Sequence, residues 1–322
     1  MPVKFENVKN CFLGLAVGDA LGVPVEFRDR SFFKDHPVKE MLGYGTWNQP
    51  PGTWSDDSSL AFCLAESLVN GYHPEDIGKK FVEWYSNGYW GARHKLFDIG
   101  GTTRVSLARI REGEDPRFAG EIEEDSNGNG SLMRIAPASL YFYDEPDTNL
   151  YERIKEVSSM THGHFRSVFG CFIFSKYLIE LFNGSEKLQA FEKTMASVKN
   201  FAQENEFNQD EIKLFDRIFS GDILHAKVDS IHSSGYVLHT LEAALWCFLT
   251  TGSYSEAVLK AVNLGGDTDT TGCVTGALAG LYYGENSIPM MWLISLAREK
   301  DIIKLSEDFT ESLKKRILRD KT

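Results

Sequence analysis

No two of the five cysteines (Cys11, Cys63, Cys171, Cys247 and Cys273) stand at C-x-x-C spacing, and their odd number and wide separation make no disulfide framework. Zinc-ribbon and thiol-redox chemistry are therefore not expected, and the cysteines read as buried free thiols of a reducing compartment. Basic residues are also short: 34 Lys and Arg against 46 Asp and Glu leave a formal net charge of −12. That balance argues against a general nucleic-acid or anionic-membrane surface, so an anionic substrate would need local help, such as a bound metal. No uninterrupted apolar run is expected to reach membrane-spanning length, and the N-terminal Met-Pro-Val-Lys-Phe-Glu-Asn carries charge where the apolar part of a signal peptide would lie. The expectation is a cytoplasmic, monomeric protein with no nucleic-acid or membrane partner.

Period-two strand patterns are scarce, and no linker, low-complexity tract or solenoid period interrupts the chain. Helical spacing is abundant. It runs from Val8 to Leu21, through Leu60, Cys63, Leu64 and Leu68, after Pro74 through Ile77, Phe81 and Trp84, and from Arg104 to Arg111. It continues from Leu150 to Met160, Phe165 to Phe182, Gly235 to Phe248, Tyr254 to Val262 and 303 to 318. One all-α domain covering residues 1–322 is expected.

Carboxylates punctuate this pattern at helix starts. In Gly265-Gly266-Asp267-Thr268-Asp269-Thr270 two glycines permit a turn, and the acids and hydroxyls then precede an apolar run with Gly272, Gly276 and Gly280 at i, i+4. Asp267 or Thr268 could be ordinary caps, but two buried carboxylates repel or protonate unless a cation lies near. Thr53-Trp54-Ser55-Asp56-Asp57-Ser58 repeats the design about two hundred residues earlier. If the fold brings the two starts together, they make one metal site; otherwise they are two unrelated caps. Oxygen donors without nearby His or Cys suit Mg²⁺ or Mn²⁺ better than zinc, and Asp56, Asp57, Asp267 and Asp269 would balance two divalent ions.

Other polar residues interrupt apolar segments. Gly14 and Gly18 permit a further close helix crossing, and Asp19 beside them reads as a cap or a partnered acid. Glu26 follows Gly22-Val-Pro-Val, either in an exposed loop or paired. Asp98, before Ile99-Gly100-Gly101, is a cap, a loop acid or a functional group. Asn127-Gly128-Asn129-Gly130-Ser131 could turn the chain or cradle an anion on backbone N–H groups, but it lacks the Gly-Lys-Ser/Thr ending of a P-loop. His162 and His164 lack further zinc ligands nearby and are assigned a non-metal role.

Taken together, Gly18-Asp19-Ala20-Leu21-Gly22 with Glu26, Ser55-Asp56-Asp57, Phe97-Asp98-Ile99-Gly100, Asn129-Gly130-Ser131 with Met133-Arg134, Thr161-His162, and Gly265-Gly266-Asp267-Thr268-Asp269-Thr270 resemble the ADP-ribosylglycohydrolase family over nearly the full chain. The resemblance implies a compact orthogonal multi-helix bundle with a binuclear metal cleft holding two Mg²⁺ or Mn²⁺ ions. It puts metal ligands at Ser55, Asp56, Asp57, Asp267, Asp269 and Thr270, with Ser55 standing where the family often has Thr. It implies catalytic roles for Glu26, Asp98 and Asp269, and substrate contacts from Gly100, Gly130, Ser131 and His162.

The implied activity is removal of ADP-ribose from a modified protein or a small conjugate. Asp98, which the resemblance places beside the scissile linkage, favours arginine as the carrier, with serine-linked or O-acetyl conjugates as alternatives. A non-catalytic, crystallin-like relative would have lost acidic residues that are all present here. A helical diphosphate lyase would need a further carboxylate after Asp56-Asp57, where Ser58, Ser59 and Leu60 stand.

Overall fold

The computed structural model describes residues 5–319. In chain order the first half of the molecule forms α1 (Asn7–Gly22), α2 (Phe32–Asp35), α3 (Asp56–Val69), α4 (Pro74–Asn87), α5 (Gly101–Arg111), α6 (Ala136–Tyr141), α7 (Asp147–Ser159) and α8 (Phe165–Phe182). The second half adds α9 (Lys187–Glu204), α10 (Gln209–Lys213), α11 (Asp216–Phe219), α12 (Val237–Leu249), α13 (Tyr254–Val262), α14 (Thr268–Tyr283), α15 (Met290–Ser295) and α16 (Glu299–Arg319). Among the described residues the only β pairing consists of two isolated bridges, Glu121 with His162 and Gly128 with Tyr236, so the fold is all-α.

Local chemistry sets the boundaries. Pro74 opens α4, and Gly88 closes it in the left-handed conformation at φ 68°. The Ser253 hydroxyl caps α13 by accepting from the Glu256 N–H. α4 and α16 carry apolar faces only on one side, whereas α1 is buried from Cys11 to Gly22 and α14 from Thr268 to Leu281. The latter two form the middle of the molecule, with α13 and α12 against α14, and α16 against α1 and α3.

α1 and α14 touch backbone to backbone. A Cβ on Gly14 would meet the Gly276 carbonyl oxygen at 2.4 Å, and one on Gly18 would meet that of Gly272 at 2.1 Å. In the reverse direction, Gly276 and Gly280 leave no room against Gly14 and Asn10. The two glycine stripes, expected as separate close crossings, are the two sides of one antiparallel crossing. Tyr254 locks it by donating to the Gly14 carbonyl at 2.7 Å, and the Thr268 hydroxyl donates to Gly22 O at 2.8 Å.

This central position also corrects the expectation about apolar length. The segment Asn7–Val25 is long and apolar enough to cross a membrane, yet 89% of its apolar window is buried inside the protein. Its hydrophobicity is that of a core helix surrounded by other helices. All five cysteines are free and buried, as their apolar settings predict.

Candidate active site and metal centre

The start of α3 is held from outside its own sequence. Asp19, buried on α1, accepts from the Ser55 N–H at 2.9 Å through Oδ1, and from the Ser58 N–H at 3.0 Å and the Ser58 hydroxyl at 2.5 Å through Oδ2. Ser55 is the N-cap and accepts from the Asp57 N–H at 3.2 Å. With these donors satisfied by Asp19 and Ser55, Asp56 and Asp57 are free to present carboxylates to the adjoining cleft.

The start of α14 is shaped by Gly265 and Gly266, at φ 77° and 69°. A Cβ on Gly266 would meet Ser233 O at 2.4 Å, and the next residue, Asp267, donates its N–H to that same carbonyl at 2.7 Å. Asp267 occupies the N-cap position, but its side chain caps nothing. Its Oδ2 instead accepts from the Asn129 amide at 2.8 Å. The Thr270 hydroxyl donates to Asp57 Oδ1 at 3.3 Å, so the two acidic helix starts meet.

Three buried carboxylate oxygens at this junction, Asp57 Oδ2, Asp267 Oδ1 and Asp269 Oδ2, have no hydrogen-bond partner. One carboxylate oxygen each from Glu26, Asp267 and Asp269 lie within 4.8 Å of one another, the spacing of a cation's ligands. Asp56, Asp57, Asp98, Asp267, Thr270 and Glu26 line a cleft of about 250 Å³. No lysine or arginine stands among its described lining residues.

Burial pushes the carboxyls of Asp56, Asp57 and Asp269 well above the usual range, and their acidic neighbours push them further. Glu26 rises to about 9 through burial and the charge of Asp98, against the Trp47 hydrogen bond that lowers it. Asp98 rises to about 6 through burial and Asp267. Such a group of acids ionises together only when positive charge is supplied, and oxygen donors of this kind fit a hard cation. The N-termini of α3 and α14 already contribute partial positive charge in that direction.

The opposite wall is glycine backbone and one histidine. A Cβ on Gly130 would meet His162 Cε1 at 2.7 Å, and one on Gly128 would meet Nε2 at 3.0 Å, so the ring lies directly against the loop. Burial and the charge of Arg134 hold His162 down to about 3, hence neutral, and its Nδ1 pairs with the Thr161 hydroxyl at 2.7 Å. Arg134 is wholly buried beneath the loop, donating to the carbonyls of Gly130 and, at 3.2 Å, Val157.

Glu26, Asp56, Asp57, Asp98, Gly100, Gly130, His162, Asp267 and Thr270 thus line one cleft. Ser55 and Asp269 lie buried just behind them. The Ser131 hydroxyl points elsewhere, accepting from Ser158 at 2.9 Å and contacting Cys171 in the core, so only its main chain can face a ligand. Of three supporting residues, Asp19 behind α3 is the partnered acid that its apolar setting suggests, whereas Asn129 on Asp267 and Trp47, whose indole donates to Glu26 Oε2, had no individual role from sequence. Asp19 carried a signal as a carboxylate in an apolar face; Trp47 carried none.

An all-helical bundle whose two acidic helix starts converge on a polar cleft is an arrangement that can hold a polar substrate against carboxylates. The chain belongs to the ADP-ribosylglycohydrolase family, whose model matches residues 1–318, and is an enzyme that hydrolyses ADP-ribose conjugates. It is 33% identical over 94% of its length, and 78% of the relative's, to a protein of Serratia proteamaculans (strain 568) named ADP-ribosylarginine hydrolase Tri1. It is 29% identical to the ADP-ribosyl-[dinitrogen reductase] glycohydrolase of Rhodospirillum rubrum, covering 92% of both chains. A solved structure described as an ADP-ribosylglycohydrolase-related protein complex superposes with a TM-score of 0.80 at 34% identity, covering 96% of this chain and 98% of that one.

Proposed function

We propose that this chain is a metal-dependent hydrolase that cleaves the N-glycosidic bond between ADP-ribose and an arginine side chain, on a modified protein or a small conjugate. The observation that carries the metal is the trio of orphaned buried oxygens on Asp57, Asp267 and Asp269. The linkage is supported by relatives named for ADP-ribosylarginine and by the position of Asp98 in the cleft.

In this reading Ser55, Asp56, Asp57, Asp267, Asp269 and Thr270 hold two Mg²⁺ or Mn²⁺ ions. Bound there, such ions would supply Lewis acidity for the hydrolysis. Gly100, Gly130 and the main chain of Ser131 border the diphosphate, with the buried charge of Arg134 behind them, and neutral His162 packs on the nucleotide side. Asp98 pairs with the guanidinium. As the anomeric carbon exchanges nitrogen for a water oxygen, one proton passes from the water to the departing guanidine nitrogen, and Glu26 and Asp98 are the cleft carboxyls that would carry it.

The test is release of ADP-ribose from arginine-, serine- and O-acetyl-linked substrates with Mg²⁺, Mn²⁺ or EDTA. Arginine-linked turnover is expected, abolished by EDTA and lowered on the order of 100-fold or more by Asp267→Asn. Turnover restricted to serine linkages would overturn the arginine assignment, and full activity in EDTA would remove the metal.

A further inference from the structure

Three loops meet beside the cleft and bring together the rings of Phe27, Trp47 and Phe97. Trp47 stands edge-on to Phe27, with ring centroids 6.2 Å apart, and tilts against Phe97 at 5.9 Å. Phe27 lines the cleft although 64% of its surface is exposed. Among the described residues, eight non-glycine positions have positive φ, and six of them (Phe27, Tyr44, Asn48, Trp90, His94 and Asp98) lie in these loops. The unusual backbone is pinned: the Phe27 N–H donates to Gly266 O at 2.7 Å, and the Thr46 hydroxyl to Glu26 O at 2.8 Å. Phe97 directly precedes Asp98, and Trp47 donates to the Glu26 carboxylate, so each of these rings is tied to an acid of the cleft.

We infer that Trp47, Phe97 and Phe27 form the face that selects a planar cationic leaving group. The inference rests on the arginine reading proposed above and goes further by naming what recognises the carrier side chain. A guanidinium has a face that stacks on aromatic rings and an edge of N–H donors that meets carboxylates. Phe27 lines the cleft together with Asp98 and Glu26, and Trp47 and Phe97 extend the ring cluster from it, so one flat cation at this place would meet both kinds of partner. A serine hydroxyl leaving group has neither charge nor plane and gains nothing from the rings.

Phe97→Leu isolates the face, because Phe97 makes no hydrogen bond to Glu26 whereas Trp47 does. Steady-state kinetics on an ADP-ribosyl-arginine peptide with the Mg²⁺-loaded enzyme are expected to show KM rising about fivefold with kcat nearly unchanged. Inhibition by agmatine, a free guanidinium, should weaken about fivefold, while product inhibition by ADP-ribose stays the same and Phe97→Tyr restores both values. Unchanged agmatine inhibition overturns the proposal. So does equal weakening of agmatine and ADP-ribose, which would make the rings a nucleotide face. Absence of arginine-linked turnover in the unsubstituted enzyme is a separate outcome that defeats the arginine reading and this inference together.

Discussion

Asp19 never reaches the cleft, yet two backbone N–H groups and a hydroxyl at the start of α3 depend on its carboxylate. Asp19→Ala leaves those buried donors unpaired and is expected to cost about 2–3 kcal/mol. Chemical denaturation would register the loss, and Mn²⁺ titration should show weaker binding because Asp56 and Asp57 lose their fixed origin; an unchanged midpoint would refute the bracing role. At this scale the sequence disclosed the acids themselves. Ser55, Asp56, Asp57, Asp267 and Asp269 stand out because charge at an apolar helix start is costly without a reason. It marked Asp19 as an acid in need of a partner but did not disclose which groups support which. Asn129 reaches Asp267 across 138 residues, and nothing local to an asparagine names so distant an acceptor.

Among the helices, the crossing of α1 and α14 carries the heaviest geometric constraint. A methyl group at Gly18 would lie 2.1 Å from Gly272 O, with backbone on both sides and no flexible side chain to yield. Gly18→Ala is therefore expected to destabilise by about 3 kcal/mol or more, whereas Gly101→Ala, with nothing within 4 Å of its Cβ, should stay within about 0.5 kcal/mol. Comparing the two melting curves checks whether the close approach, rather than glycine itself, is what matters. Most helix limits were legible: Phe165–Phe182 and Tyr254–Val262 follow directly from apolar spacing and caps. What local periodicity omits is the partner. Each glycine stripe announces a close neighbour without saying which, so two halves of one contact read as two contacts.

For the molecule as a whole, an acidic cleft inside a chain of formal charge −12 makes stability depend on pH and cations together. Asp98, Asp19 and Glu26 rise to about 6, 7 and 9 in the folded protein. All lie above the unfolded carboxyl value near 4, so each group binds its proton more tightly when folded. Their contribution to stability is fully present below about pH 4 and is lost as pH rises through those folded values. Metal-free protein should therefore melt at a lower temperature near pH 8 than near pH 5.5. Added Mg²⁺ or Mn²⁺ should raise the melting temperature by an amount that grows with pH, since ions require deprotonated ligands. A melting temperature in EDTA that is flat or rising over that interval would contradict the charge balance described for the cleft.

The pairing of Thr268 with Gly22 spans 246 residues. A ribosome delivers α1 and α3 well before α14, which carries both the surface on which α1 must close and the second set of carboxylates. Until then the first set has nothing to face. A chain that lacked α14 would lack one of the two acidic helix starts altogether, so a single helix crossing makes the cleft depend on both distant segments being present.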